Sequence, residues 1–126
     1  MRRILILPVL ILLLAAAIVA CKPAETDWGS FTDQRTESYD QKYYAVPTAD
    51  GPDIVVAVYD AGSGTEVFSF RPARASDFWG ICWESDTYNI WIQSADIGTL
   101  CYQFDGERWI LNENAERPAD IESKYD

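Results

Sequence analysis

Between residues 43 and 112 the chain is divided at close intervals into short apolar runs by turn-forming residues, and this spacing most constrains its fold. Runs of β-branched and aromatic residues bounded by Gly, Pro, Asn, Asp and Ser read as strands. Residues 43–47 are a candidate first strand, and Asp50-Gly51-Pro52-Asp53 is a strong turn signal. Residues 54–59 (IVVAVY) are apolar on both alternations, the pattern of a central strand. Asp60-Ala61-Gly62-Ser63-Gly64 then turns into a run at 65–70, which makes a hairpin.

Residues 71–77 (RPARASD) read as a longer connection, because Pro72 cannot donate to a strand ladder. After it, 78–84, 88–93, 99–104 and 107–112 form successive strands joined by short turns, an antiparallel meander. Trp79, Ile81 and Trp83 share one face of their strand, while Trp91 alternates with Ile90 and Ile92 on the next. Asp105-Gly106 reads as a two-residue loop of the I′ kind. The tail at 118–125 places proline and acids in a first turn and a lysine in the last, which predicts a short helix. The expected class is mainly β. It is a small antiparallel meander sheet (single sheet, small sandwich or open barrel) with a short C-terminal helix. The meander resembles a β-propeller blade, but 54–112 covers only about one and a half blades of the four to eight that a propeller needs.

The beginning of the chain has a different character. Arg2 and Arg3 precede an uncharged stretch at 4–20, closed by Ile18-Val19-Ala20-Cys21. As a membrane helix this stretch has 17 residues, the short edge of what spans a bilayer, and Pro8 does not exclude it. An ordinary secretory signal favours small residues at −3 and −1 of the cut, whereas −3 here is Ile18. The four closing residues resemble the lipobox of bacterial lipoproteins. That resemblance implies cleavage before Cys21, and a diacylglyceryl group with acyl chains (palmitate among them) on Cys21. It also implies a lipid-anchored domain on the extracytoplasmic face of a bacterial membrane. Strongly apolar residues follow the arginine pair at once, which suits the general secretory route better than twin-arginine export. The organisation expected is a signal peptide at 1–20, a polar tether at 21–42 and a mostly-β domain at 43–126. Trp28 and Phe31 are the tether residues that would dock back on the domain.

Charge narrows the partners. Ten basic residues less Arg2 and Arg3 leave eight against twenty acids, a formal net charge of −12 after Cys21. Such a surface repels nucleic acid and anionic lipid heads. The 105 residues after Cys21 support one small domain, and all five tryptophans fall within it. Large aromatic area compensates for the thin core of a chain this size.

Catalytic chemistry has few candidates. The sequence has no histidine, which removes the commonest general base and zinc ligand together. Gly62-Ser63-Gly64-Thr65 lacks the lysine of a phosphate loop and reads as a hairpin turn. Asp50, Asp53, Asp60, Asp86, Asp96 and Asp105 are turn formers whose spacing matches no EF-hand. Arg71 and Arg74 either clamp a carboxylate or pair within the chain. Cys82 and Cys101 are either two small buried residues or a disulfide, which export permits. A bridge fails if their strands flank a third, since two strand spacings, ~9.5 Å, exceed its reach of about 7 Å. Trp79, Trp83 and Trp91 are either core or an open platform for a glycan, peptide or protein. The expected function is a non-catalytic binding or accessory module with an unknown protein or glycan partner. A surface lipoprotein capturing a glycan or small substrate through exposed tryptophans is the alternative, and an enzyme the third. Neither a metal nor a non-covalent cofactor is expected.

Overall fold

The computed structural model of the chain describes Trp28, Thr32, residues 34–121 and Ser123. The signal peptide, Cys21 and Phe31 lie outside these residues. Eight strands follow one another: β1 (Thr36–Glu37), β2 (Tyr43–Asp50), β3 (Asp53–Asp60), β4 (Glu66–Arg74), β5 (Trp79–Trp83), β6 (Ile90–Ser94), β7 (Gly98–Phe104) and β8 (Trp109–Asn112). They pair antiparallel in chain order into two four-stranded sheets, β1–β4 and β5–β8. The fold is therefore mainly β, a small sandwich, and the blade-like meander of β5–β8 has a second sheet packed on one face.

Alternation along each strand builds the core. Ile54, Val56 and Val58 of β3 point inward with Ala45 of β2 and Phe70 of β4. They meet Trp79, Ile81 and Trp83 of β5, Ile90 and Ile92 of β6, Tyr102 of β7 and Trp109 of β8. Ile81, Ile92, Val56 and Val58 are fully buried, each stabilising the fold by about 1.5–3 kcal/mol relative to exposure. Two indoles tie the parts by hydrogen bonds. Trp83 Nε1 donates to Thr36 O and Oγ1 at 3.2 Å, joining the first strand to the second sheet. Trp109 Nε1 donates to Tyr88 O at 2.6 Å.

Several expected boundaries move, each for a local reason. The domain begins ahead of residue 43, because β1 pairs with Tyr44 and Ala45 inside the expected tether. β2 runs on to Asp50, and Gly51 at φ 59° takes the first central position of a two-residue loop closed by Asp50 and Asp53. β4 continues through Pro72 to Arg74, contrary to the expected connection. Pro72 is accommodated because β4 is an edge strand and the register slips there, Ile54 facing Ala73 while Val56 faces Phe70.

The last hairpin is also shifted. Phe104 faces Trp109 and Asp105 N–H donates to Arg108 O, so the two-residue loop is Gly106-Glu107 rather than Asp105-Gly106. Asp105 Oδ1 accepts from the N–H groups of Glu107 and Arg108, both at 2.9 Å, and Gly106 supplies φ 106°. The expected C-terminal helix does not form among the described residues. At 118–121 there is a turn, with Ile121 N–H donating to Pro118 O, and the rest of the segment lies almost wholly outside the described residues. A helix this short is marginal alone. Here Ile121 is instead buried against the second sheet, and Asp120 Oδ2 accepts from Ser85 Oγ at 2.6 Å.

Ile92 is fully buried in the middle of the second sheet. Replacing Ile92 with Ala is expected to destabilise the domain by about 2–5 kcal/mol in chemical denaturation, against within ~0.5 kcal/mol for Ser69→Ala on the exposed side of β4.

Candidate functional site

The tryptophan platform is not present. Trp79, Trp83 and Trp91 are 5%, 9% and 2% exposed, so no face of theirs is open to a glycan or partner. Trp79 and Trp83 lie between the sheets, as their places two residues either side of Ile81 require. Trp91 is buried on the opposite face of the second sheet, within a smaller cluster holding Cys82, Cys101 and Ile121. Trp28 and Ala115 pack against that cluster. Trp28, Ala115 and Ile121 thus lie over the outer face of β5–β7.

The same row decides the cysteines. Cys82 faces Trp91 across β5 and β6, and Trp91 faces Cys101 across β6 and β7. Two strand spacings separate the sulfurs' backbones, ~9.5 Å, and no disulfide joins them. Burial pushes the Cys101 thiol up to about 12, with the charge of Glu84 adding to it. Such a thiol is a packing residue rather than a nucleophile. Glu84 is itself buried, and neutral donors surround its carboxyl group. Trp91 Nε1 donates to Oε1 at 2.8 Å, and Thr87 Oγ1 and Asn89 Nδ2 donate to Oε2 at 2.5 and 3.2 Å. This network fixes the β5–β6 loop and the Trp91 ring together.

The remaining sequence candidates are turn and pairing residues. Asp60 Oδ1 accepts from Gly62 N, Ser63 N and Ser63 Oγ, so the glycine-rich stretch is the β3–β4 loop and not a phosphate cradle. Asp96 Oδ2 accepts from Phe78 N–H at 2.8 Å, pinning the entry to β5. Arg71 pairs with Asp50 at 2.6 Å and Asp53 at 3.4 Å, an ion pair within the chain. Arg74 meets Asp77 through its backbone N–H and C=O. Among the described residues, no three His, Cys, Asp or Glu side chains gather where they could hold a metal ion.

A different group is both exposed and ordered. The β1–β2 loop closes on itself: Ser38 N–H donates to Tyr43 O at 2.9 Å, and Tyr43 N–H to Ser38 Oγ at 3.1 Å. Gln41 adopts φ 62°, the one non-glycine residue with positive φ among those described. Asp40 Oδ1 accepts from Ser38 Oγ and Lys42 N–H, and its Oδ2 accepts from Tyr88 Oη at 2.6 Å. Tyr39 stacks on Tyr88 at 5.5 Å, Tyr43 meets Tyr88 edge-on at 4.9 Å, and Lys42 Nζ lies 5.5 Å over the Tyr43 ring. Tyr39 remains 51% exposed. An aromatic face, a cation and a carboxylate are held on one rigid loop, the composition that favours recognition. Sequence reading missed it by assigning Tyr39, Asp40 and Lys42 to the tether. The available signal was Ser38 and Asp40 just ahead of a strand.

The chain matches no known protein family, no characterised protein and no solved structure at a significant level.

The Tyr88–Asp40 bond gives a pH signature. It raises Tyr88 above its ordinary value of 10.0 and, as the largest cause, lowers Asp40 below 3.8. The favoured states are neutral phenol and ionised carboxylate. Their contribution is present from above 3.8 to below 10.0, and is lost as pH falls through Asp40's lowered value or rises through Tyr88's raised one. Asp40→Asn is expected to bring the Tyr88 titration back toward 10.0 in NMR of its ring carbons, and an unmoved titration would contradict the bond.

The cover over the cysteines makes a second expectation. Among the described residues the buried Trp28 indole N–H meets no acceptor, and its ring packs against the cluster that holds both cysteines. In native protein Cys82 and Cys101 should label slowly with a maleimide. Trp28→Ala should speed labelling several-fold without changing the far-ultraviolet circular dichroism, whereas equal rates would show that Trp28 does not shield them.

Proposed function

We propose that the protein is a lipid-anchored, extracytoplasmic module of a bacterial membrane that binds a partner and does no chemistry of its own. The observation that carries this reading is the order of residues 2–21: two arginines, an uncharged apolar stretch, then Ile18-Val19-Ala20-Cys21. A single acyl chain holds a protein only reversibly, whereas two or more, at ~0.8 kcal/mol per buried CH₂, anchor it stably. The lipid is then covalent, on Cys21, and directs the domain to the outside of the cell membrane.

Binding is favoured over catalysis by what the domain presents. Asp60 and Asp105 close turns, and Asp50 and Asp53 pair with Arg71. The accessible thiol chemistry of Cys101 is suppressed by burial. The loop at 38–43 instead offers a half-exposed tyrosine beside a cation and a carboxylate. A protein partner touching this loop would gain aromatic contact area at little entropic cost, because the loop is already ordered. The formal charge of −12 after Cys21 opposes nucleic acid as that partner.

The test is the mature N-terminus. Mass spectrometry of the protein from membranes should find Cys21 as the first residue carrying diacylglyceryl and acyl chains, and Cys21→Ser should move the protein from the membrane to the soluble fraction. An intact Met1, or a Cys21 without lipid, would sink the reading.

A further inference from the structure

Phe78 is 75% exposed, the highest value among the large apolar side chains described, and Ile97 is 38% exposed. The fold brings them to one tip. Trp79 pairs with Ser94 and Ser94 with Gly98, so the entry to β5 and the β6–β7 turn share one end of the second sheet. Ser94 Oγ donates to Phe78 O at 2.5 Å and accepts from the N–H groups of Asp96 and Ile97 at 3.0 and 3.3 Å. Asp96 Oδ2 accepts from Phe78 N–H, so both backbone polar groups of Phe78 are held. The loop carrying Tyr88, which bonds to Asp40, closes the opposite end of β5 and β6.

Exposed apolar residues are common on protein surfaces, so exposure by itself assigns the tip no role. Its place relative to Cys21 does. Trp28 packs on the row of Cys82, Trp91 and Cys101, and Cys21 stands seven residues ahead of it. Whatever path those residues take, they span at most ~25 Å. Phe78 is four residues from Cys82, which is ~13 Å along an extended strand. With lipid on Cys21 the bilayer surface is within reach of the tip, and the short leash gives the contact the high effective concentration of an intramolecular one.

Area and charge identify the occupant. Two partly exposed side chains offer roughly 200 Å² of apolar surface, far below the ~1,200 Å² of a specific protein interface. A lipid interface sets no such threshold, because binding there scales with whatever apolar area enters the boundary between headgroups and acyl chains. The formal charge of −12 after Cys21 disfavours anionic headgroups, which leaves zwitterionic lipid. We propose that Phe78 and Ile97 are a membrane-docking tip, entering the zwitterionic lipid interface beside the anchor and turning the loop at 38–43 outward. The proposal rests on the acylation of Cys21, and it adds the orientation of the domain, which acyl chains alone leave free.

The experiment uses the full chain isolated from membranes with its lipid and placed in phosphatidylcholine vesicles that carry a headgroup nitroxide. A fluorophore on Ala95→Cys, in the same turn as Ile97, is expected to be quenched several-fold more than one on Ser63→Cys, in the β3–β4 loop that meets Lys42 at the opposite end. Ala95→Cys combined with Phe78→Ser and Ile97→Ser should lose that excess, with thermal unfolding unchanged because both side chains stand outside the core. No quenching at position 95, equal quenching at both positions, or an excess that survives the two serines would each overturn the proposal. So would a fluorophore at 95 that responds only when membrane proteins are added, the mark of a protein partner. The mass of the same sample separates the two readings. Lipid on Cys21 without quenching at 95 sinks the tip alone, and a Cys21 without lipid sinks the anchor and the tip together.

Discussion

The contact between tryptophans and aliphatic residues across the two sheets is what every other feature relies on. Each four-stranded sheet has one apolar inner face that must be covered, and each covers the other's. Trp79, Trp83 and Trp109 fill the interlayer space with Ile81, Ile92 and Val56. The indole groups also bring polar handles that must be satisfied. Trp83 finds its acceptors on β1 and Trp109 on Tyr88 O, so the core fixes two loops as well as two layers. The ordered β1–β2 loop, with Tyr39 and Lys42 on it, is a consequence of that demand.

The strands and most turns were legible because they follow from local chemistry. Period-two alternation announced β5 and β6, and Asp50-Gly51 and the glycine-rich loop announced two hairpins. What the sequence withheld depended on long-range partners. Two residues of β1 carry no strand pattern, and they exist as a strand because Ala45 and Tyr44 pair with them and Trp83 binds Thr36. Pro72 looked like an end to β4, but an edge position and a slipped register absorb its missing donor. The C-terminal segment has helical charge placement, yet Ile121 gains more from the apolar row at Cys82, Trp91 and Cys101 than a short helix would give. For the site, the tryptophans were easy to list and their burial was not, since alternation tells two faces apart without saying which one is wet. The cysteine pair was decidable in advance up to one fact, whether a strand lay between them.

The distribution of function follows from the same division. On the proposed reading, targeting information is concentrated in a few residues before the domain, where hydropathy and four consecutive side chains would express it. On the same reading, recognition belongs to a surface that only folding assembles, the loop at 38–43. The residues beside the strands take part in the packing: Trp28 and Ile121 spend their apolar area on the outer side of the second sheet.

Pro72 gains a second meaning from where it stands. Sheets grow by strand addition, and an open edge with a full row of donors is an invitation to polymerise. In this molecule β4 presents its edge with a proline and a slipped register, β1 is two residues long and β8 is four. Growth along the hydrogen-bonding direction is blunted at these edges. Molecules crowded together are thereby steered away from strand-by-strand growth into fibres.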